Sequence, residues 1–369
     1  MSQIIYKSIA CLKEAVEGCE KPLLVCGHSF DKLCIKEEVV RIIPNHVLFH
    51  DYSPNPTYEQ VCKGVDTFNL EGCDSIVAIG GGSAIDVAKS IKLFCKMEKD
   101  RPYVEQKYQE TGIKLIAIPT TAGTGSESTR FSLLYYNGEK ISVNHDSIIP
   151  NVAILEGAVL KPLPDFQKKC TLLDALCQAI EAWWSVNSTD ESKEYSREAT
   201  EMIVANWEDY LFNYNDKVAD AIMLASNLAG KAINIAQTTA PHAFSYKITS
   251  LYGTPHGLAV ALSFPEIWQY MTDNIDKCCD SRGKEYLAET FMEIAHTMGV
   301  NTVDDAVKAF RDILSKMQLG KPHSKKREAD IELLATSVSP FRLKNNPVEL
   351  SLEAMRNIYD AIIAQEAND

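Results

Sequence analysis

No apolar run in this chain approaches the roughly 20 residues that a membrane-spanning helix needs, and residues 1–20 hold no signal-peptide apolar core. Positive charge is also in short supply. The 37 Lys and Arg stand against 50 Asp and Glu, a net charge of −13, which disfavours general attraction to nucleic acid or to an anionic membrane. An anionic ligand must then be met by a local cationic pocket. There is no C-x-x-C. The 11 cysteines, an odd number, run from Cys11 to Cys279 with one adjacent pair, Cys278 and Cys279. This is neither a disulfide framework nor a thiolate zinc site, and it fits reduced core residues in a reducing compartment. Internal repeats and low-complexity tracts are absent as well. What remains is ordinary globular composition, 46% hydrophobic and 24% charged over 369 residues, enough chain for two domains or one large one. The expectation is a cytoplasmic, enzyme-sized protein.

The two halves of the sequence are patterned differently. Pro22–Gly27, Val47–Asp51, Ser75–Gly80 and Lys114–Pro119 read as short, nearly continuous apolar strands, separated by amphipathic stretches such as Tyr58–Asn69 and Ala84–Lys96. That alternation predicts a parallel sheet covered on both faces. Beyond about residue 165 helical periodicity takes over, in Thr171–Trp184, Glu194–Asn213, Lys217–Gln237 and Leu350–Gln365. Pro162 and Pro164 break the pattern between the halves. The reading is an α/β dinucleotide-binding domain over 1–162 and an all-helical domain over 163–369.

Two glycine-containing loops follow predicted strands. Gly80-Gly81-Gly82-Ser83 opens a helix carrying Asp86 and Lys89, and glycines there let a backbone approach a pyrophosphate at a helix N-terminus. The second loop, Pro119 to Glu127, offers the hydroxyls of Thr120, Thr121, Thr124 and Ser126 at the carboxyl end of the next strand, where open α/β sheets place ligands. Either loop alone also reads as a tight structural turn. In the helical half Asp174, Gln178 and Glu181 share a helix face, and His242 and His256 lie far downstream. An Asp, an amide oxygen and two imidazoles make a mixed oxygen and nitrogen set for a divalent metal. Two satisfied structural histidines would look the same in sequence.

Taken together, these segments resemble the iron-containing alcohol dehydrogenase family, which is related to dehydroquinate synthase and glycerol dehydrogenase. The resemblance is carried by Asn55-Pro56-Thr57, the Gly80–Ser83 loop with Asp86 and Lys89, Pro119–Glu127, Asp174-Ala175-Leu176 with Ile180-Glu181-Ala182, Pro255-His256-Gly257 and the late Asn346-Pro347. It implies that fold, a cofactor in the cleft between the domains, a homodimer or larger assembly, and a metal beside the nicotinamide. The family's metal ligands fall on Asp174, Gln178, His242 and His256, with Fe²⁺ or Zn²⁺ as the ion. Gln178 departs from the pattern, since that position is usually His, a better ligand for either metal. Tyr246 stands where many members carry a further His, and either relays a proton or fills space. Members that prefer NAD often end the first strand in an acidic residue. Here Gly27 takes that place, which admits NADPH as well as NADH, with Ser29 and Lys32 nearby for a 2′-phosphate.

Within the family, Ser128–Phe131, Asp174–Thr189 and Ala229–Asn234 most resemble the phosphonoacetaldehyde reductases, which implies reduction of a small anionic aldehyde to 2-hydroxyethylphosphonate. A buried phosphonate needs fixed positive charge. Arg130 and Lys231 are the first candidates, with Asn234 and Thr238 on one helix face with Lys231 leading to His242, and with Lys247 and Arg342 in reserve. A sulfoacetaldehyde or neutral short-chain aldehyde reductase is the nearest alternative, a non-catalytic nucleotide-binding protein one of another class, and a lyase of the dehydroquinate synthase type a weaker third.

Overall fold

The computed structural model describes residues 3–366. The chain divides into two compact units, one made of residues up to Pro164 with Phe212–Gly230, the other of Asp165–Leu211 with residues from Lys231 onward.

The first unit is built on strands β1 (Ile4–Tyr6), β2 (Pro22–Cys26), β3 (Val47–Phe49), β4 (Ser75–Gly80), β5 (Lys114–Pro119) and β8 (Val152–Ile154), a six-stranded parallel sheet in the order β1-β8-β5-β4-β2-β3. Sequence periodicity found β2 to β5. The three-residue β1 and β8 are too short to show it, and the antiparallel hairpin β6 (Phe131–Tyr136) and β7 (Glu139–Asn144) went unread although its strands are as long as β4 and β5. Helices α1 (Leu12–Ala15), α2 (Lys36–Ile42), α3 (Tyr58–Leu70) and α4 (Gly82–Phe94) cover the sheet; β2 and β4 are buried along their whole length, which explains their uninterrupted apolar sequences. From β2 the strand order runs outward to β3 on one side and to β4 and β5 on the other. The carboxyl ends of β2 and β4 therefore flank the point where the winding reverses, where open α/β sheets bind ligands. Asn55-Pro56-Thr57 acts locally. Thr57 caps α3 in a reciprocal box with Gln60, the Pro56 carbonyl accepts from Tyr135 N–H at 2.8 Å, and Ser83 Oγ donates to the Pro54 carbonyl.

In the second unit lie α5 (Asp165–Trp184), most of α6 (Asp190–Phe212), the end of α7 (Asp216–Ala236), α8 (Ala240–Tyr252), α9 (His256–Asp273), α10 (Lys284–Thr297), α11 (Val303–Met317), α12 (Arg327–Ser337), the single turn α13 (Pro340–Leu343) and α14 (Leu352–Ile362). Its described residues are mainly helical, with one two-residue parallel pair, β9 (His323–Ser324) with β10 (Ala364–Gln365), and an isolated antiparallel bridge between Cys278 and Val348. The fully buried Trp184 and Trp268 rings, 5.4 Å apart at their centroids, anchor its core. The sequence reading put all of α7 in this unit; its segment up to Gly230 groups instead with the first. The cause is a glycine pair: a Cβ on Gly125 (φ +57°) would lie 2.4 Å from Gly230 Cα, and Asn227 Nδ2 donates to Glu127 and Ser128.

Candidate functional site

In the second unit three helices deliver four side chains to one point. α5 presents Asp174, Gln178 and Glu181 at i, i+4 and i+7. His242 lies in the first turn of α8, behind Pro241, and His256 is the first residue of α9, behind Pro255. Gly257 lets α9 come in this close, because a Cβ there would fall 2.0 Å from the Cys170 carbonyl oxygen and 2.9 Å from Asp174 Cβ. Asp174 Oδ1 lies 3.4 Å from His242 Nε2 and 3.9 Å from His256 Nε2, and one ligand atom from each of the three residues falls within 4.8 Å of the others.

The remaining ring nitrogens are held by protein. His242 Nδ1 meets Glu181 Oε1 at 2.5 Å, and His256 Nδ1 meets Ser245 Oγ at 3.2 Å, so both rings turn Nε2 toward Asp174. Glu181 is fully buried, and its second oxygen accepts from Thr239 N–H at 2.7 Å and Thr239 Oγ1 at 3.0 Å at the start of α8. Among the described residues Asp174 Oδ1, Gln178 Oε1 and His242 Nε2, each buried, have no hydrogen-bond partner. Orphaned polar atoms of this kind are costly and rare. Ligands about 2.1 Å from a tetrahedral ion sit roughly 3.4 Å from one another, so the observed spacing fits a shared divalent metal. Charge agrees. Burial works against an imidazolium, yet Glu181 and Asp174 outweigh it and hold His242 up at about 9; burial pushes the Asp174 carboxyl up, and the two histidines bring it below its ordinary value. The cluster asks for a cation, and a metal would displace that proton. The Tyr246 ring stacks on His256, centroids 5.8 Å apart, and its hydroxyl accepts from Arg342 Nη1 at 2.9 Å.

In the first unit the two loops pack together at the carboxyl ends of β4 and β5. Thr120 N–H donates to the Gly80 carbonyl at 3.0 Å, and a Cβ on Gly81 or Gly82 would press on Thr121 or Thr124 at 3.3 and 3.0 Å. Gly27 and Ser29 follow β2, next in the sheet. Beneath the loops Lys89 Nζ, fully buried, spends its three donors on Ser126 Oγ, Thr129 Oγ1 and the Phe131 carbonyl. Asp86 accepts from Ser126 Oγ at 2.6 Å and Leu133 N–H at 3.1 Å. The sequence reading grouped Asp86 and Ser126 with the outward-facing loop, whereas both turn inward and brace it.

Models of the iron-containing alcohol dehydrogenases match residues 3–157, and of the Fe-containing alcohol dehydrogenase family's C-terminal part residues 169–363. The chain belongs to the iron-containing alcohol dehydrogenase family. It is an oxidoreductase of the alcohol dehydrogenase and aldehyde reductase class, which sets aside the non-catalytic reading. The 1,3-propanediol dehydrogenase of Klebsiella pneumoniae is 30% identical over 78% of this chain and 75% of its own, and the NAD-dependent methanol dehydrogenase of Bacillus methanolicus 29% identical over 86% and 85%. Among solved structures, the sulfoacetaldehyde reductase of Bifidobacterium kashiwanohense in complex with NAD⁺ superposes with a TM-score of 0.86 at 26% identity, covering 98% of this chain and 96% of that one.

Against this family frame the cations expected to read an anion fare unequally. Arg130, in the first unit, pairs with Asp146 at 3.5 Å and lies over the Phe131 ring, while Lys231, in the second, rests 5.6 Å from the Tyr195 ring centroid. The expected continuous face Lys231, Asn234, Thr238 is broken: α7 ends at Ala236, Gln237 is left-handed (φ +60°), and Thr238 lies in the connection to α8, its carbonyl accepting from Asn345. Sequence reading gave Glu181 no role, although its i+7 spacing from Asp174 was visible. The Ser245 contact to His256 had no sequence signal.

Proposed function

We propose that the chain reduces a short anionic aldehyde with NADH or NADPH, with phosphonoacetaldehyde as the substrate and 2-hydroxyethylphosphonate as the product. The observation that carries the chemistry is the set of orphaned buried atoms on Asp174, Gln178 and His242, with His256 Nε2 aimed at the same carboxylate. These four residues would hold the divalent metal, Fe²⁺ or Zn²⁺. When bound, the metal supplies Lewis-acid polarisation of the aldehyde oxygen, and the nicotinamide supplies the hydride that adds to the aldehyde carbon. Glu181 and Ser245 fix the two imidazoles with Nε2 as the ligand atom. Tyr246 keeps its phenolic proton because burial pushes its pKa up, and its ring stacked on His256 places it as the candidate proton donor to the reduced substrate's oxygen. The Gly80–Ser83 and Thr120–Thr124 loops offer backbone N–H and hydroxyl groups to the cofactor phosphates, with Gly27 and Ser29 at the ribose end.

A second reading, sulfoacetaldehyde reduction, is favoured by the likeness to the Bifidobacterium enzyme. Both substrates share an anionic group beside a two-carbon aldehyde. The test is NADH and NADPH oxidation with phosphonoacetaldehyde, sulfoacetaldehyde and propionaldehyde, after chelator treatment and again with Fe²⁺ or Zn²⁺ restored. The expected result is metal-dependent turnover with a kcat/KM preference of about a hundredfold for one of the anionic aldehydes. Full activity without metal would refute the Lewis-acid role. Equal rates on all three aldehydes would refute the anionic substrate.

A further inference from the structure

We infer that Arg342 is the residue that reads the anionic group of the substrate, held for that purpose by the segment 340–348; this rests on the anionic-aldehyde reading above. The sequence singled out Asn346-Pro347 without giving it a task, and placed Arg342 behind Arg130 and Lys231. The structure supplies the missing relation.

Arg342 sits in the single turn α13, which packs on α8, and its guanidinium lies 4.4 Å from the Tyr246 ring centroid. Tyr246 in turn stacks on His256, and the His256 and His242 ring centroids are 5.3 Å apart. Guanidinium, phenol and imidazole thus form consecutive layers that end at the carboxylate of Asp174. Arg342 is half-buried. Of its five side-chain donors one is used, by the Tyr246 hydroxyl, and among the described residues no carboxylate lies within 4.0 Å of it. By contrast Arg130, Arg282, Arg311, Arg327 and Arg356 each have an acidic partner. A partly desolvated guanidinium with open donors in fork geometry is matched to a phosphonate or sulfonate, which offers several oxygens on one centre.

Its position is fixed from behind. Asn345 Nδ2 donates to the Thr238 carbonyl at 3.1 Å, and its own side-chain oxygen accepts from Asn187. Asn346, buried, accepts from Ala240 N–H at 3.4 Å and donates to the Val348 carbonyl at 2.7 Å. The asparagines that follow Arg342 are therefore tied to the start of α8, the helix that carries His242 and Tyr246. The late motif is an anchor that sets the distance from the guanidinium to the metal-ligand cluster, so a short chain between carbonyl and anion selects itself. Lys231 has no such relation, as no hydrogen bond or ion pair among the described residues joins it to the cluster.

The experiment compares the parent holoenzyme with Arg342→Gln and Arg342→Lys on the preferred anionic aldehyde and on propionaldehyde. Product binding, 2-hydroxyethylphosphonate titrated calorimetrically into the metal- and NAD⁺-loaded protein, serves as a second readout. Arg342→Gln is expected to raise KM for the anionic aldehyde by about a hundredfold, to cost the neutral aldehyde less than about tenfold, and to weaken product binding in parallel. Arg342→Lys, which keeps the charge and loses the fork, should fall between. Equal losses on both aldehydes would overturn the inference and make Arg342 a support for Tyr246. An unchanged preference in Arg342→Gln would also overturn it while leaving the anionic-aldehyde reading standing. A parent enzyme with no anionic preference would remove both.

Discussion

The two sites solve opposite problems with buried polar groups. Under the glycine loops of the first unit the buried charges are matched: Lys89 has three acceptors, Asp86 two donors, and Ser126 links them. At the meeting point of α5, α8 and α9 three converging atoms, on Asp174, Gln178 and His242, have no hydrogen-bond partner among the described residues. A closed network makes a rigid bed on which backbone N–H groups and small side chains do the binding, and an open one makes a socket for an ion. The difference teaches that burial and charge alone do not mark a binding atom. Asp86 and Asp174 are both carboxylates on a helix beside a buried cation or cation site, and among the described residues only the second keeps a buried oxygen with no hydrogen bond.

The largest break of this contrast is Asp174→Asn. It keeps the volume but removes the charge that the two histidines face, so bound metal should be lost and kcat/KM should fall on the order of a thousandfold or more. In the metal-free protein the variant should also lose some stability, because the carboxylate that the two histidines hold below its ordinary pKa goes with it. Metal analysis after gel filtration decides the matter: parental stoichiometry in the variant would end the socket model. Glu181→Gln acts at one remove. It keeps the shape beside His242 Nδ1 while weakening the acceptor, and metal affinity should drop about 10- to 100-fold in a competition titration. Unchanged affinity would reduce Glu181 to the cap it also provides at Thr239.

Sequence reached the fold through β2 to β5, because buried parallel strands must be continuously apolar, whereas the candidate ligand set came from the family resemblance, since a shared helix face and two distant histidines left a metal and a structural reading open. It could not reach β1 or β8, whose three residues are too few to be periodic, and it missed the hairpin, where apolar Phe131–Tyr136 pairs with the mostly polar Glu139–Asn144. Nor could it show that Asp86 faces inward, since i+3 spacing to Lys89 reads the same for a binding pair and for a brace. The Arg342 to Tyr246 contact spans 96 residues, and only the fold supplies it. The same holds for Gly125 against Gly230: two unremarked glycines in sequence, one close contact in space.

That contact sharpens the contrast from the first unit's side. A Cβ on Gly230 would fall 2.5 Å from the Gly125 carbonyl oxygen and 2.8 Å from its Cα. These are backbone atoms of the loop that carries Thr124 and Ser126, so Gly230→Ala must push the loop off the helix. The expected cost is about 1–3 kcal/mol in urea unfolding, with weaker cofactor binding and unaltered metal content. Equal loss of metal would show that the substitution acts beyond the loop and would end this reading of the glycine contact.

The smallest effect tests whether the closed network stores a cost. Burial is the main influence on Lys89 and brings it from an ordinary 10.5 down to about 8, against the opposing pull of Asp86 and Glu127. Between those pH values the unfolded chain holds a proton that the folded chain has released, so this residue makes stability rise with pH across the window. Below about 8 both states are protonated, and the full penalty of the buried charge is present. The stability advantage of the parent over Lys89→Met should therefore widen as pH is raised from about 8 toward 10, once tyrosines and cysteines that titrate in the same range cancel in the difference. Parallel pH profiles would show that the matched donors already offset the burial of the charge, and the first unit's network would then be not merely closed but free of strain.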